Sequence, residues 1–117
     1  AALACLAETQ RLNVKDNAAA RGAELFAGLQ ALQAKHEAIG DVRGGYGLML
    51  ALEMVADRAT KKPADKAAPA TVQSVAYKAG TMVRVSGPNI ILSPPLVLTS
   101  ADVQVILSSL DEGFSAL

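Results

Sequence analysis

Met82-Val83-Arg84-Val85-Ser86-Gly87-Pro88-Asn89-Ile90-Ile91-Leu92-Ser93-Pro94-Pro95-Leu96-Val97-Leu98-Thr99 decides how this 117-residue chain folds. β-Branched residues stand on either side of Ser86-Gly87-Pro88-Asn89, which gives two short strands joined by a turn. Pro94-Pro95 stops the second strand, and Arg84 sits alone as a cation in the first. A guanidinium on a stiff hairpin can take a carboxylate in a bidentate fork. Spacing alone leaves a second reading open, an edge-strand arginine in a weak surface salt bridge.

The flanks of the hairpin read as helices. Thr99 caps the last one, with Asp102 completing a capping box and Val103, Ile106, Leu107, Leu110 and Phe114 forming its apolar stripe. Upstream, Pro69 suits the first turn of a helix that turns Val72, Val75 and Ala76 inward and ends at Gly80. Asp57 to Ala68, with Lys61, Lys62, Pro63, Asp65 and Lys66, reads as an exposed loop. Leu48 to Val55 is almost continuously apolar, the pattern of a strand covered on both faces. The glycines of Arg43-Gly44-Gly45-Tyr46-Gly47 place a bend or bulge between it and a preceding strand at Val42.

Asn13 and Asp16 make an approximate capping box for a long helix reaching about Lys35, with Ala18, Gly22, Leu25, Leu29 and Leu32 on one stripe. Gly22 in that stripe suggests close approach of another backbone. Ala1 to Arg11 is helix-forming from its first residue, with Leu3 and Leu6 on one face and no cap before it. The chain is therefore expected to begin inside a helix, as one domain (1–117) of a longer protein. The element order predicts a two-layer α+β domain, its helices packed on one face of a small, mostly antiparallel sheet.

Composition bounds the function. Eleven basic and eleven acidic residues balance to zero, which leaves no electrostatic footprint for nucleic acid or an anionic membrane. Hydrophobic residues make up 51% and aromatic residues 3%, so the core must come from aliphatic side chains. No apolar run approaches the roughly 20 residues that span a bilayer. A single cysteine and the lack of a basic leader before Glu8 fit a soluble, cytoplasmic protein.

Few residues carry chemistry. His36 lacks metal-ligating neighbours at suitable spacing and is expected to be a solvated histidine at a helix C-terminus. Cys5, among Ala and Leu with no base beside it, is expected to be a buried small hydrophobe. Arg43 to Gly47 lacks the strand-loop-helix setting of a phosphate cradle and reads as a structural turn. Glu53 lies either at a sheet end or opposite Arg43 or Arg84.

Gly40-Asp41-Val42-Arg43-Gly44, then Gly47-Leu48-Met49 and Leu52-Glu53, resembles a motif of class III aminotransferases, pyridoxal-phosphate enzymes of fold type I. Arg84-x-x-Gly87 leading to Leu92-x-Pro94-Pro95 and Thr99 resembles the same family's C-terminal signature. The resemblance runs in order along the whole chain; one departure is the Gly45-Tyr46 segment, a residue longer than usual. It implies the small C-terminal domain of a transaminase that moves an amino group between an amine or ω-amino acid and a keto acid such as pyruvate. Arg84 matches the position that binds the substrate carboxylate in the ω-amino acid:pyruvate branch. Ile91 stands where the ornithine and 4-aminobutyrate branches carry an arginine, which disfavours those branches. Ser93, Pro94 and Pro95 are expected to shape the pocket wall.

The resemblance further implies a homodimeric parent with pyridoxal phosphate held by a large domain outside this chain. Lys15, Lys35, Lys61, Lys62, Lys66 and Lys78 do not match the cofactor lysine motif, so the chain alone is expected to be inactive, with no catalytic, cofactor-binding or metal residue of its own. Two other classes are compatible with the residues: a stand-alone α+β domain that senses small carboxylates, and an interaction module that pairs through its sheet edge or first helix.

Overall fold

The computed structural model describes residues 1–117. Four helices and five strands follow in the order α1 (Ala2–Arg11), α2 (Val14–Lys35), β1 (Ile39–Arg43), β2 (Leu50–Asp57), β3 (Lys62–Pro63), α3 (Ala67–Lys78), β4 (Arg84–Ser86), β5 (Asn89–Leu92) and α4 (Ser100–Ser115). The main sheet has the order β1-β2-β5-β4, with β3 paired to the far end of β2, and every pairing is antiparallel. Helices α2, α3 and α4 cover one face, which makes this the two-layer α+β fold expected.

Alternation along the strands sorts the residues between faces. Leu50, Leu52 and Met54 of β2 and Ile90 and Leu92 of β5 are buried against Leu25, Leu29, Val72, Val103, Leu110 and Phe114 of the helices. Each such side chain contributes about 1.5–3 kcal/mol on burial, so this aliphatic layer dominates any single surface ion pair. The opposite side of β2 carries Ala51 and Glu53, both only half-buried. Within this chain the strand is therefore covered on one face at Leu50–Glu53, with the small Ala51 on its open side, while Val55 beyond it is buried.

Local signals explain the ends of the elements. Thr99 and Asp102 form the reciprocal capping box, with the Thr99 hydroxyl and backbone N–H holding the Asp102 carboxyl below its ordinary value. At the end of α3, Gly80 adopts φ +107°, its N–H donates to Tyr77 O, and Thr81 N–H donates to Ala76 O, a complete Schellman turn. The start of α3 is held by Asp65 Oδ1, which accepts from the N–H groups of Ala67 and Ala68. Asn13 departs from expectation. It lies in the left-handed region at φ 48°, and its amide donates to Asp16 Oδ2 instead of capping α2.

Three further expectations need correction. Cys5 is exposed, because α1 buries no residue and projects from a molecule 47 × 27 × 24 Å across. His36 is not solvated: its side chain is 12% exposed, its Nε2 lies 2.6 Å from Asp111 Oδ1, and its ring packs against Phe114. The segment after β2 is mostly exposed but pairs through β3, and Arg58 returns from it to donate to the carbonyls of Gln33, His36 and Ile39. That arginine satisfies the C-terminal carbonyls of α2 and the entry to β1. No helix is long and apolar enough to cross a membrane.

Two glycines show how α2 is seated. A Cβ on Gly22 would overlap the backbone carbonyl of Gly47, whereas one on Gly28 would overlap only the flexible end of Leu107. Gly22→Ala should therefore destabilise the protein by at least about 2 kcal/mol, while Gly28→Ala should stay within about 1 kcal/mol of the parent because better helix propensity offsets a small shift of Leu107. Urea unfolding of the two variants checks the contrast.

Lys35, and after it His36, hold the Asp111 carboxyl below its ordinary value. A carboxyl lowered in the folded state stabilises above its unfolded pKa and loses that contribution as pH falls through the folded one. Asp111→Asn should cost about 0.5–1 kcal/mol at neutral pH, with the difference vanishing once the wild-type carboxyl is protonated. Melting temperatures of both proteins along an acid series measure it.

Candidate functional site

Antiparallel register brings the sequence motifs to one end of the sheet. The C-terminal ends of β1 and β5 and the N-terminal ends of β2 and β4 meet there. Across the four strands Arg43 pairs with Ala51, Ala51 with Ile91, and Ile91 with Arg84, so these four residues form one row on the open face. The neighbouring row on that face is Asp41, Glu53, Asn89 and Ser86. The Arg84 hairpin turns through Gly87 at φ +58° and Pro88, with glycine at the first turn position as a type II′ turn requires. Pro88 O accepts from Met54 N–H, which ties the turn to β2.

Arg84 is exposed on the edge strand and makes neither an ion pair nor a side-chain hydrogen bond within the chain. The surface-salt-bridge reading of this residue thus lacks a partner. Arg43 is the opposite case. Its Nε donates to Asp41 Oδ2 at 2.9 Å, and its Nη2 donates to Glu53 Oε2. Asp41 first, and Glu53 through its charge, hold the Arg43 guanidinium above its already high ordinary value. This also settles the open position of Glu53, whose partner is Arg43 and not Arg84. The register signals the pair only once β1 and β2 are aligned, which spacing alone did not do.

A groove of about 330 Å³ is lined by both arginines together with Gly44, Met49, Ala51 and Ile91. Its floor is apolar, one of its cations is free and the other is neutralised. Such a groove can fix an anion at Arg84 and rest an apolar group beside it. Ser93, Pro94 and Pro95 line a different, larger cavity of about 510 Å³ with Met82, Leu98 and Ile106. They wall off the neighbouring surface and do not face the Arg84 groove, because the chain leaves β5 toward α4 after Leu92. Asn17 holds that segment by donating to the carbonyls of Leu96 and Leu98.

The glycine-rich turn joins β1 to β2, the bend between two strand segments that its glycines suggested. Gly44, Gly45 and Gly47 have φ of +138°, +95° and +112°, and the turn rests on Gly22 and Phe26 of α2. Tyr46, within this turn, is fully exposed.

Pyridoxal phosphate needs a lysine in its site for covalent attachment. All six lysines of this chain are exposed, Lys35 is engaged by Asp111, and none lines the Arg84 groove. The residues present therefore do not fit the cofactor's attachment. No group of three or more His, Cys, Asp or Glu is placed to hold a metal ion.

Comparison with known proteins gives one consistent result. The family model for aminotransferase class-III matches residues 1–114. The whole chain is 36% identical to the taurine–pyruvate aminotransferase of Bilophila wadsworthia and covers 27% of that enzyme. It is 34% identical, over 86% of its length, to the hypotaurine/taurine–pyruvate aminotransferase of Paracoccus denitrificans, of which it covers 23%. Among solved structures, an amine transaminase from an uncultivated Pseudomonas species in its PLP-bound form superposes with a TM-score of 0.93 at 40% identity, over 98% of this chain and 26% of that one. The chain spans about a quarter of the length of these relatives. It belongs to the class III aminotransferase family.

Proposed function

We propose that this chain is the small C-terminal domain of a pyridoxal-phosphate-dependent transaminase and that Arg84 binds the acid group of its substrates. The enzyme would exchange an amino group between an amine or ω-amino acid and a keto acid such as pyruvate. The observation that carries this reading is the unpaired guanidinium of Arg84 above an apolar floor of Ala51 and Ile91. A free arginine on an edge strand contributes little to the fold, so its placement suits a ligand that arrives from outside the chain. Relatives named for taurine and pyruvate extend the acid group to a sulfonate or a carboxylate, both of which offer two oxygens to the guanidinium fork.

Within this chain the work is binding and orientation. Arg84 would fix one end of the substrate, and the Ala51–Ile91 floor would carry the part of it next to the acid group. Pyridoxal phosphate and its attachment belong to the part of the enzyme beyond this chain. Exposed Leu3 and Leu6 on α1 and exposed Met82, Leu96 and Val97 support a fold that is covered by further polypeptide, including the second subunit of a homodimer.

In the full-length enzyme, Arg84→Ala should lower kcat/KM for pyruvate and for taurine by about 10- to 100-fold, as expected for loss of a charged hydrogen bond. The loss for an arylalkylamine donor that lacks an acid group, measured in its own half-reaction, should stay within about threefold. Equal losses for substrates with and without an acid group would show instead that Arg84 serves the fold.

A further inference from the structure

Ala51 is the one small side chain in a row that otherwise carries large ones. That row runs Arg43, Ala51, Ile91, Arg84 across the open face, and all four residues line the cavity of about 330 Å³. Ile91 stands directly opposite Arg84, and Ala51 is the next position, two strand spacings or roughly 10 Å from Arg84. On its other side Arg43 is held by Asp41 and Glu53. The row therefore has a notch over Ala51, between Ile91 and Arg43, and the unpaired Arg84 borders the same space.

Alanine does not suit the fold best at this place. β2 is an interior strand, paired on both sides, and such a strand favours β-branched residues that pack on their cross-strand neighbours. A valine here would fit the pleat beside Ile91 and fill the notch. Strand propensity is given up for open space next to a free guanidinium, which points to a ligand group that uses the space. Ala51 is also not among the residues on which the family resemblance rests, so members that share Arg84 can differ there.

We infer that Ala51 is a specificity-determining residue: the notch above it admits a substituent on the carbon next to the acid group, so that branched ω-amino acids serve as donors beside unbranched ones. The inference rests on the reading of Arg84 as the acid receptor and adds the class of donor that the receptor takes. With the acid group on Arg84, the carbon that follows it lies beside the Ile91–Ala51 floor. An apolar branch on that carbon leaves water for a space bordered by the apolar side chains of Met49, Ala51 and Ile91. In such a space a single methylene is worth about tenfold or more in discrimination. Two further methyl groups at position 51 would take the place of the branch.

The test uses the full-length enzyme with pyruvate as acceptor and two donors, 3-aminopropanoate and the same molecule carrying an ethyl group at C2. The wild type should use both. The ratio of kcat/KM for the ethyl donor to that for the plain one is taken within each preparation, so that loss of folded protein cancels. Ala51→Val and its polar isostere Ala51→Thr should each lower this ratio by about tenfold or more, through a higher KM for the ethyl donor. Ala51→Ser, close to alanine in size, should keep it within about threefold. A wild type that refuses the ethyl donor while using the plain one would overturn the inference. So would a ratio unmoved by Val and Thr, or one that Ser lowers as far as they do. Melting temperatures of the Val and Thr variants should equal or exceed that of the wild type; a fall in both would show that packing demands the alanine and would equally overturn it. The Arg84→Ala measurement separates the two levels. If acidic substrates lose activity there while the ratio stays flat in Ala51→Val, the receptor stands and the role of Ala51 falls; if Arg84→Ala weakens all substrates alike, both fall together.

Discussion

Everything on the open face depends on the register of β2. Leu52 lies between Val42 and Ile90, and Leu50 opposite Leu92, so the buried layer is continuous across three strands. A slip of one residue would carry Glu53 and Ala51 into the aliphatic core and turn Leu52 to solvent. It would also break the row that places Arg43, Ala51, Ile91 and Arg84 side by side. The hydrophobic layer thereby fixes the positions of polar groups it never touches, and the cost of burying Glu53 unpaired makes the alternative registers inaccessible.

Several smaller contacts hold that register at its ends. At one end the Gly44–Gly47 turn rests on α2 through a backbone contact that only glycine at position 22 permits. At the other, Pro88 O accepts from Met54 N–H and Arg58 gathers three carbonyls from the α2–β1 connection. The helices are fixed independently, by the Thr99–Asp102 capping box and by the Schellman turn at Gly80. A buried pair of hydroxyls, Thr81 donating to Ser109 and Ser109 to Ala79 O, then joins the end of α3 to the middle of α4. Sheet and helices are thus located by separate devices that meet in one core.

The layer architecture, the long helix, the capping box at Thr99 and the terminator at Gly80 were all legible in the sequence, because each rests on periodicity or on a residue type with one strong local role. So was the close approach at Gly22, since a glycine in a buried helical stripe has few other reasons to be there. What spacing missed were contacts made only after the chain has folded. His36 pairs with Asp111, 75 residues away, and Arg58 satisfies the end of a helix that precedes it by 22 positions. Cys5 and Asn13 were misread for the converse reason: α1 finds no neighbour to bury it, and the α1–α2 corner needs a left-handed residue more than a cap. Glu53 was undecidable until cross-strand alignment assigned it to Arg43.

Arg84 illustrates how far one face of the proposed site can be understood by itself. In water two unit charges 4 Å apart interact by about 1 kcal/mol, and in a partly desolvated setting by about 4 kcal/mol. On this chain Arg84 is exposed, and an anion bound to it would gain only the smaller figure. Under the proposed function, a cover over the groove would strengthen the Arg84 contact by desolvation, and equally the hold of Asp41 and Glu53 on Arg43. The apolar rim of the groove is exposed at Met49. Covering that rim would turn a weakly attractive surface arginine into a receptor, while Arg43 stays paired with Asp41 and Glu53. The contrast between the two cations is therefore drawn by this chain but amplified by whatever closes over it.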